Sequence, residues 1–251
     1  MKCSNCGAQN FRSSGPCRMC GKPLADLNAL SQGKKATGYT ATMPMTMSTE
    51  EVARRFRMTY EHERDPNMKT LEGVLELLAF IRTPELKTHD LVQRAAELMH
   101  QHFRLRWVAL GVKGSDGYFR YEAMVGFRAD VAEKRRNQSF RRSDFLEDGR
   151  YKGWAISDQT KLYLEEDQPY SEDAEATFNR PMLMKSRRRA PDDSLEGDYV
   201  DVHIYGIGND LLGWIESSGT ITGKLPDVPM IRWMETIASV IGAGLVRKKV
   251  Y

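Results

Sequence analysis

Four cysteines lie near the start of the chain in two pairs of identical spacing. Cys3 and Cys6 form the first C-x-x-C pair. Cys17 and Cys20 form the second, and the 251 residues contain no other cysteine. A glycine follows each pair, and glycine tolerates the positive φ that such a turn often needs. Two turns of this kind can direct four thiolates to one point, the tetrahedral ligand set that zinc prefers. The spacing therefore predicts one structural zinc ion per chain.

Three other chemistries also use paired cysteines. Disulfide bonds are disfavoured because no signal peptide precedes the pairs, which indicates a reducing compartment. A thioredoxin-like redox pair is expected between a strand and a helix of a βαβ unit, and no such pattern surrounds either pair. Iron bound by four thiolates, as in rubredoxin, stays an alternative because spacing alone does not distinguish it from zinc.

Residues 1–27 resemble the zinc-ribbon family, a short module with two cysteine knuckles. The resemblance implies a closed, structural metal site and a module that contacts nucleic acid or another protein. So short a segment buries too little apolar surface to fold alone, so metal binding would supply the folding free energy. Residues 28–48 are rich in Thr, Gly, Ser and Met without periodicity, which predicts a flexible linker.

Helical periodicity begins where the linker ends, and residues 49–84 are predicted as a helical connector. A first run covers 49–65, starts with capping and acidic residues, and ends before Pro66. A second run ends at Pro84 and carries an apolar stripe at spacings of three and four residues: Leu71, Val74, Leu75, Leu78 and Ile81. We expect a homodimer that pairs through these helices or the C-terminal helix, although the stripe also fits packing within one core.

The remainder of the chain alternates between helical and strand-like segments. A turn-rich break separates two strand-like runs early in this region, and a second such pair occurs late, which predicts two hairpins. The strand-like segments are 106–113, 118–127, 161–164, 198–206 and 210–219. Helices are predicted from about Thr88 and over 229–249. This order predicts an α+β domain with an antiparallel sheet flanked by helices.

Three stretches are similar to the GAF family, the small-molecule-sensing relatives of PAS domains. They read DGYFRYEAMVGF, DVHIYG followed by DLLGWIES, and LPDVPMIRWMETIASVIGAGL. The family's late strand, roughly liGvlel, and its following helix, roughly l..iA..ig.ai, are matched by residues 212–216 and 237–242. The similarity covers about 86–250, so a GAF-like domain is assigned to 85–251.

The GAF resemblance implies a ligand site between the sheet and the loops of about 128–197. Trp154, Tyr163 and Tyr170 are the candidate ligand-binding residues in these loops, with Phe178 a further aromatic residue there. Aromatic residues of a core look the same in a sequence, so packing is the competing interpretation of each.

Several reaction types are excluded by residue content. Covalent bilin attachment and thiol redox chemistry need a cysteine, and all four are assigned to the ribbon. His100 and His203 have ordinary places on a helix and a strand, and the pair His89-Asp90 resembles a helix start more than a metal site. The sequence contains no G-x-S-x-G, H-E-x-x-H or Walker pattern. A protein without catalytic activity is therefore predicted.

Charge and hydropathy limit the classes of partner that the chain is expected to bind. The formal net charge is only +3, whereas a dedicated nucleic-acid binder usually has a concentrated basic face. Basic runs at 134–136, 141–142 and 187–189 are interpreted as solvated loops balanced by nearby acidic stretches, with an anion site as the alternative. No run of 18 apolar residues occurs, so neither a membrane span nor a location outside the cytoplasm is expected.

Together these observations predict a zinc-binding regulatory protein in which a zinc ribbon is tethered to a GAF-like domain that senses a small molecule or binds another protein. The alternative is a nucleic-acid-associated regulator that uses the ribbon and the Arg-rich loops.

Overall fold

A computed structural model describes residues 15–16, 23–24, 53–54, 58, 66–146 and 151–250. The chain divides into two units, Met1–Tyr60 and Glu61–Tyr251. In the first unit, strand β1 (Gly15–Pro16) pairs antiparallel with strand β2 (Pro23–Leu24). Of residues 49–65, the structure describes 53–54 and 58, which are helical, and the predicted run as a whole stays a prediction. The four cysteines and the linker 28–48 lie outside the described residues, so the zinc site stays a prediction.

The second unit is built on a six-stranded sheet with the order β4-β3-β8-β7-β6-β5, in which every neighbouring pair is antiparallel. The strands are β3 (Val108–Lys113), β4 (Phe119–Val125), β5 (Gly153–Ala155), β6 (Thr160–Tyr163), β7 (Tyr199–Tyr205) and β8 (Leu211–Ser217). The two predicted hairpins are β3–β4 and β7–β8, joined side by side through β3 and β8. The prediction of an antiparallel sheet flanked by helices is confirmed.

The helices of this unit fall into two groups. The long ones are α1 (Pro66–Ile81), α2 (Thr88–His102) and α6 (Val228–Val250). The short ones lie between β4 and β7 in the sequence: α3 (Ala129–Arg136), α4 (Ser143–Leu146) and α5 (Glu172–Glu175). Among the described residues, no helix is both long and apolar enough to cross a membrane.

The long helices cover one face of the sheet. Helices α2 and α6 lie against the strands, and α1 packs on these two helices. On β7, Val200, Val202 and Ile204 point to this layer because side chains alternate between the two faces of a strand. Helix α6 approaches β7 so closely that a Cβ atom at Gly242 would lie 2.3 Å from the carbonyl oxygen of Tyr205. This face is therefore a closed, apolar core.

The apolar stripe predicted on α1 divides between core and surface. Val74 and Ile81 are buried in the core, as is Leu77, which the stripe did not include. The other three stripe residues are partly exposed: Leu71 at 36%, Leu75 at 49% and Leu78 at 37%. Helix α1 thus has apolar residues on its buried side and on its exposed side. For this reason the sequence pattern alone did not distinguish packing within one core from pairing of two chains. The homodimer stays a prediction.

Candidate functional site

The second face of the sheet carries mainly aromatic and charged side chains. On β7, Tyr199 and Asp201 alternate with the residues that face the helices, and Trp214 and Glu216 do so on β8. Trp214 extends over β3 because Gly111 has no side chain: a Cβ atom there would lie 1.9 Å from the indole ring. The short helices and the loops between β4 and β7 cover this face.

A cavity of about 350 Å³ lies between this face and its cover. Nine aromatic side chains contribute to its lining: Tyr121, Phe140, Phe145, Tyr151, Tyr163, Tyr170, Phe178, Tyr199 and Trp214. The charged residues of the lining are Arg135, Asp144, Asp201 and Glu216. The cavity is thus a mostly aromatic chamber that contains three carboxyl groups and one guanidinium group.

A buried ion pair fixes one wall of the cavity. Arg135 of α3 donates through Nη1 to Oε1 of Glu216 over 2.7 Å, and the two side chains are only 4% and 7% exposed. Tyr121 donates its hydroxyl proton to Oε2 of Glu216 over 2.5 Å and accepts a hydrogen bond from Nη1 of Arg135 over 3.0 Å. Nε of Arg135 donates to the carbonyl oxygen of Thr177. This network ties the cover to β4 and β8.

Aromatic rings surround the guanidinium group of Arg135. Its carbon lies 5.0–5.5 Å from the ring centres of Trp107, Tyr121, Phe127 and Phe178. Burial alone would lower the pKa of Arg135, but the Glu216 carboxylate beside it raises that pKa above its usual value. Arg135 therefore stays charged inside an aromatic environment.

Asp201 is the second acidic residue on this face, and it has a different environment. It lies directly opposite Glu216 in the register of β7 and β8 and is 6% exposed. None of the described residues forms a hydrogen bond to its Oδ1. Burial, followed by the nearby charge of Glu216, raises the pKa of Asp201 well above its usual range.

His203 continues the same face of β7 but does not line the cavity. It is 3% exposed, its Nδ1 lies 3.1 Å from the hydroxyl oxygen of Tyr205, and no described residue hydrogen-bonds its Nε2. Burial, and secondarily the charge of Lys161, lowers the pKa of His203 to about 4. The imidazole is therefore neutral at pH 7.

The three candidate residues from the sequence have different positions. Tyr163 lines the cavity and stacks on Tyr199 with ring centres 4.5 Å apart. Tyr170 also lines it and donates its hydroxyl proton to the carbonyl oxygen of Gly197. Trp154 is 47% exposed, lies outside the lining, and donates its indole N–H to Asp167. Contact of these residues with a ligand stays a prediction.

Sequence analysis did not identify Arg135, Asp201 or Glu216 as site residues. Arg135 stands in a basic run that was interpreted as a solvated loop, and its partner Glu216 is 81 positions away in the sequence. The available signal was the strand pattern, because Asp201 alternates with apolar residues in a strand that lies inside the sheet. A charged residue at such a position indicates a buried polar site when both faces of the sheet are covered.

The last basic run, at 187–189, also contributes an internal ion pair. Arg188 donates to both carboxylate oxygens of the fully buried Asp198 and to Glu166, which belongs to one of the acidic stretches.

Among the described residues, no group of three or more His, Cys, Asp or Glu side chains is placed to hold a metal ion.

Comparisons with known proteins give fold similarities only. No family model matches the chain, and no curated protein matches it. Among solved structures, the chain is similar to the GAF domain of a phosphoenolpyruvate-protein phosphotransferase from Coxiella burnetii, with 11% identity, a TM-score of 0.47, and coverage of 74% of this chain and 98% of that one.

Two further structures have comparable scores. A GAF domain from A. aeolicus in an inactive state has 8% identity and a TM-score of 0.47, with coverage of 73% of this chain and 99% of that one. The chromophore-binding domain of a bacteriophytochrome from R. palustris has 12% identity and a TM-score of 0.47, with coverage of 75% and 64%. Identities this low do not transfer a ligand or an activity.

Proposed function

We propose that residues 61–251 form a regulatory domain that binds a small molecule in the aromatic cavity and has no catalytic role. The observation that carries this proposal is a chamber of about 350 Å³ on a covered face of the sheet. Protein interiors are packed as densely as organic crystals, and voids much larger than a water molecule are few. Small-molecule sites typically occupy about 300–1,000 Å³ and combine apolar walls with a few polar groups.

The polar groups of the cavity favour binding over catalysis. Arg135, Tyr121 and Glu216 are hydrogen-bonded to one another, so their charges and protons are held by the protein itself. Such a network fixes the shape of the wall and the position of the cover. A ligand in the cavity would contact the strands and the cover at the same time. Binding would therefore favour one position of the cover, and a shift of that kind changes the surface that a sensor domain presents to a partner.

We also propose that the cysteines of residues 1–27 bind one structural zinc ion. The donor set of four thiolates suits zinc, and the antiparallel pairing of β1 with β2 places a strand on each side of the second pair in the sequence. Metal analysis of the purified chain should give about one equivalent of zinc, and Cys17→Ser with Cys20→Ser should lose it. Iron in place of zinc, or a substoichiometric metal content after zinc-replete purification, would contradict this proposal.

The alternative of nucleic-acid binding rests on the ribbon and the basic loops. Two arginines of those basic runs are engaged by carboxylates: Arg135 is buried beside Glu216, and Arg188, which is 16% exposed, pairs with the buried Asp198. Salt-dependent retention on DNA or heparin by the full chain would support the alternative.

A thermal-shift screen with a cavity-filling variant tests the sensing proposal. A panel of nucleotides, amino acids and central metabolites is screened against the full chain. A ligand present at about 100 times its Kd adds about 2.7 kcal/mol to the free energy of unfolding. For a domain of this size, that corresponds to a Tm rise of about 5–10 °C.

Ala174→Trp places an indole in the cavity, since Ala174 lines it, and should abolish the response. Ala129→Trp is the matched control because Ala129 is exposed at the start of α3, and it should keep the response. The proposal fails if no compound raises Tm and mass spectrometry finds no co-purified small molecule. It also fails if both tryptophan variants respond equally.

A further inference from the structure

We infer that the ligand of the cavity carries a positively charged amine that forms an ion pair with Asp201, and an apolar body that lies against the surrounding rings. This inference rests on the proposed function, because it takes the cavity as the ligand site. It names the chemical class of the ligand, an organic ammonium compound.

The lining of the cavity contains more carboxyl groups than cationic groups. Among the described residues that line the cavity, Arg135 is the one cation, and it is paired with Glu216. Asp144 accepts a hydrogen bond from the backbone N–H of Arg141 over 2.7 Å. Asp201 is the remaining carboxyl group, and its Oδ1 has no hydrogen-bond partner in the described part of the chain. A buried carboxyl group without a partner is costly unless it holds a proton or meets a cation.

A lysine lies close to Asp201 in the sheet but is directed elsewhere. Lys161 is opposite Asp201 in the register of β6 and β7. Its ammonium group donates to the carbonyl oxygen of Phe145 over 2.7 Å, and this bond contributes to holding the end of α4 over the sheet. The protein therefore places a cation beside the cavity without using it to form an ion pair with Asp201.

The state of Asp201 in the empty cavity follows from the groups that face it on every packed element. The charged and titratable ones are Glu216 of β8, Arg135 of α3, Lys161 and Tyr163 of β6, Tyr121 of β4, and Tyr199 and His203 of its own strand. Burial and the charge of Glu216 raise the pKa of Asp201, against smaller opposing effects of Arg135 and Lys161. Burial and the charge of Glu216 both favour the protonated carboxyl group of Asp201 in the empty cavity. An ammonium group would favour the carboxylate, and the proton passes to solvent.

The aromatic walls suit the same class of ligand. Arg135 already shows that these walls accept a cation, because two rings of the lining, Tyr121 and Phe178, lie beside its guanidinium group. A desolvated cation over a ring face is attracted by the negative face of the ring. An anionic ligand would instead meet the carboxyl groups of Asp144 and Glu216, and the one guanidinium group is already paired. Charge and ring content therefore both favour an ammonium compound over a carboxylate or phosphate.

Three probes of nearly equal size and different charge test the inference on the full chain: 2-phenylethylamine, 2-phenylethanol and 3-phenylpropanoate. Isothermal titration calorimetry at pH 7 in two buffers of different ionisation heat gives the affinity and the number of protons released. We expect the amine to bind at least about tenfold more tightly than the alcohol, as a charge-assisted hydrogen bond predicts. Binding should release about one proton per amine.

Asp201→Asn should weaken amine binding at least about tenfold and leave the alcohol within about twofold. Asp210→Asn is the matched control: it removes a carboxylate from the same hairpin, one that pairs with Lys113 outside the cavity. Asp201→Ser repeats the measurement with a smaller side chain, and circular dichroism verifies that each variant is folded.

The inference is overturned if the alcohol or the acid binds as tightly as the amine, or if Asp201→Asn keeps the amine affinity. It is also overturned if no probe binds at about 10 mM, a concentration that would detect Kd values in the millimolar range. These failures are separable from a failure of the sensing proposal. Suppose that the alcohol or the acid binds, that Ala174→Trp blocks this binding, and that Ala129→Trp does not. The cavity would then remain the ligand site, and only the ammonium class of ligand would be rejected.

Discussion

The two faces of the central sheet are built from the same strands and have opposite chemistry. On β7, Val200, Val202 and Ile204 face a closed layer of helices, whereas Asp201 and His203, one residue away, face the second layer. Both faces are covered by other parts of the chain. The period-two pattern of β7 therefore does not mark one wet and one dry face, as it would in a sheet covered on one side. Instead, the pattern places apolar residues on the face that stabilises the fold and ionisable residues on the other face.

The contrast has an energetic consequence. The helix-covered face gains free energy from apolar burial, about 25 cal/mol per Å². On the other face, a buried ion pair, a buried carboxyl group and a buried imidazole each carry a desolvation penalty that burial of the rings must offset. Unfavourable groups retained inside a fold are typical of functional sites. Four experiments, ordered from the largest expected effect to the smallest, test this contrast.

Removing one member of the buried ion pair should have the largest effect. Arg135→Met leaves Glu216 buried without its cation, and Glu216→Gln leaves Arg135 buried without its anion. Each should lower the free energy of unfolding by about 3–5 kcal/mol, and the double variant should recover much of the loss. Urea denaturation measures all three. Arg120→Met, which breaks an exposed pair with Asp116, should have a much smaller effect because solvent screens that pair. If Arg120→Met lowered the free energy of unfolding as much as Arg135→Met, the predicted difference between an exposed and a buried ion pair would be wrong.

Replacing the buried histidine should change the pH dependence of stability. The pKa of His203 is lowered from 6.5 to about 4 in the folded state, so the unfolded chain binds more protons between these values. Stability is therefore fully present above pH 6.5 and is lost as pH falls towards 4, by up to about 3 kcal/mol.

His203→Phe should remove this acid loss, as measured by urea denaturation between pH 4 and 8. His89→Phe, at an exposed position on α2, should keep it. An unchanged acid slope in His203→Phe would show that another group causes the loss.

Asp201→Asn should act with the opposite sign. The folded pKa of Asp201 is raised, so the folded chain binds more protons than the unfolded one above pH 4, and stability falls as pH rises towards the folded pKa. The variant removes that fall, so its stability should exceed that of the wild type by an amount that grows by up to about 1.4 kcal/mol per pH unit across this window. A loss of stability at pH 8 would mean that the carboxylate is stabilised by a partner.

The smallest effect is expected at the edge of the sheet. Trp154→Ala removes an exposed indole that donates to Asp167 and lies 4.1 Å from the ammonium nitrogen of Lys152. It should change the free energy of unfolding by about 1 kcal/mol or less and leave ligand-induced Tm shifts unchanged. Loss of the ligand response in this variant would place the binding site at β5 and not in the cavity.

How far the sequence predicts this structure depends on whether a signal is local. The hairpins β3–β4 and β7–β8 and the helices α2 and α6 were predicted because each has its own periodicity and turn residues. Strand β5 is three residues long and gave no pattern. The wall of the cavity was not predicted because its main contact joins Arg135 to Glu216 across 81 positions, and no local spacing records such a pair. Tyr163 and Tyr170 were named only as aromatic residues of a region where the family resemblance placed a site.

The side-by-side pairing of the two hairpins also bears on the order in which the chain folds. Each hairpin closes over a few residues, whereas β3 can pair with β8 only after the 73 residues from 126 to 198, between β4 and β7, have been looped out. Long loops slow folding because their closure entropy is lost before the contacts form. We therefore expect the hairpins to form early and the cover, with the Arg135–Glu216 contact, to form last. A ligand that contacts both sheet and cover would then slow unfolding while leaving the folding rate nearly unchanged.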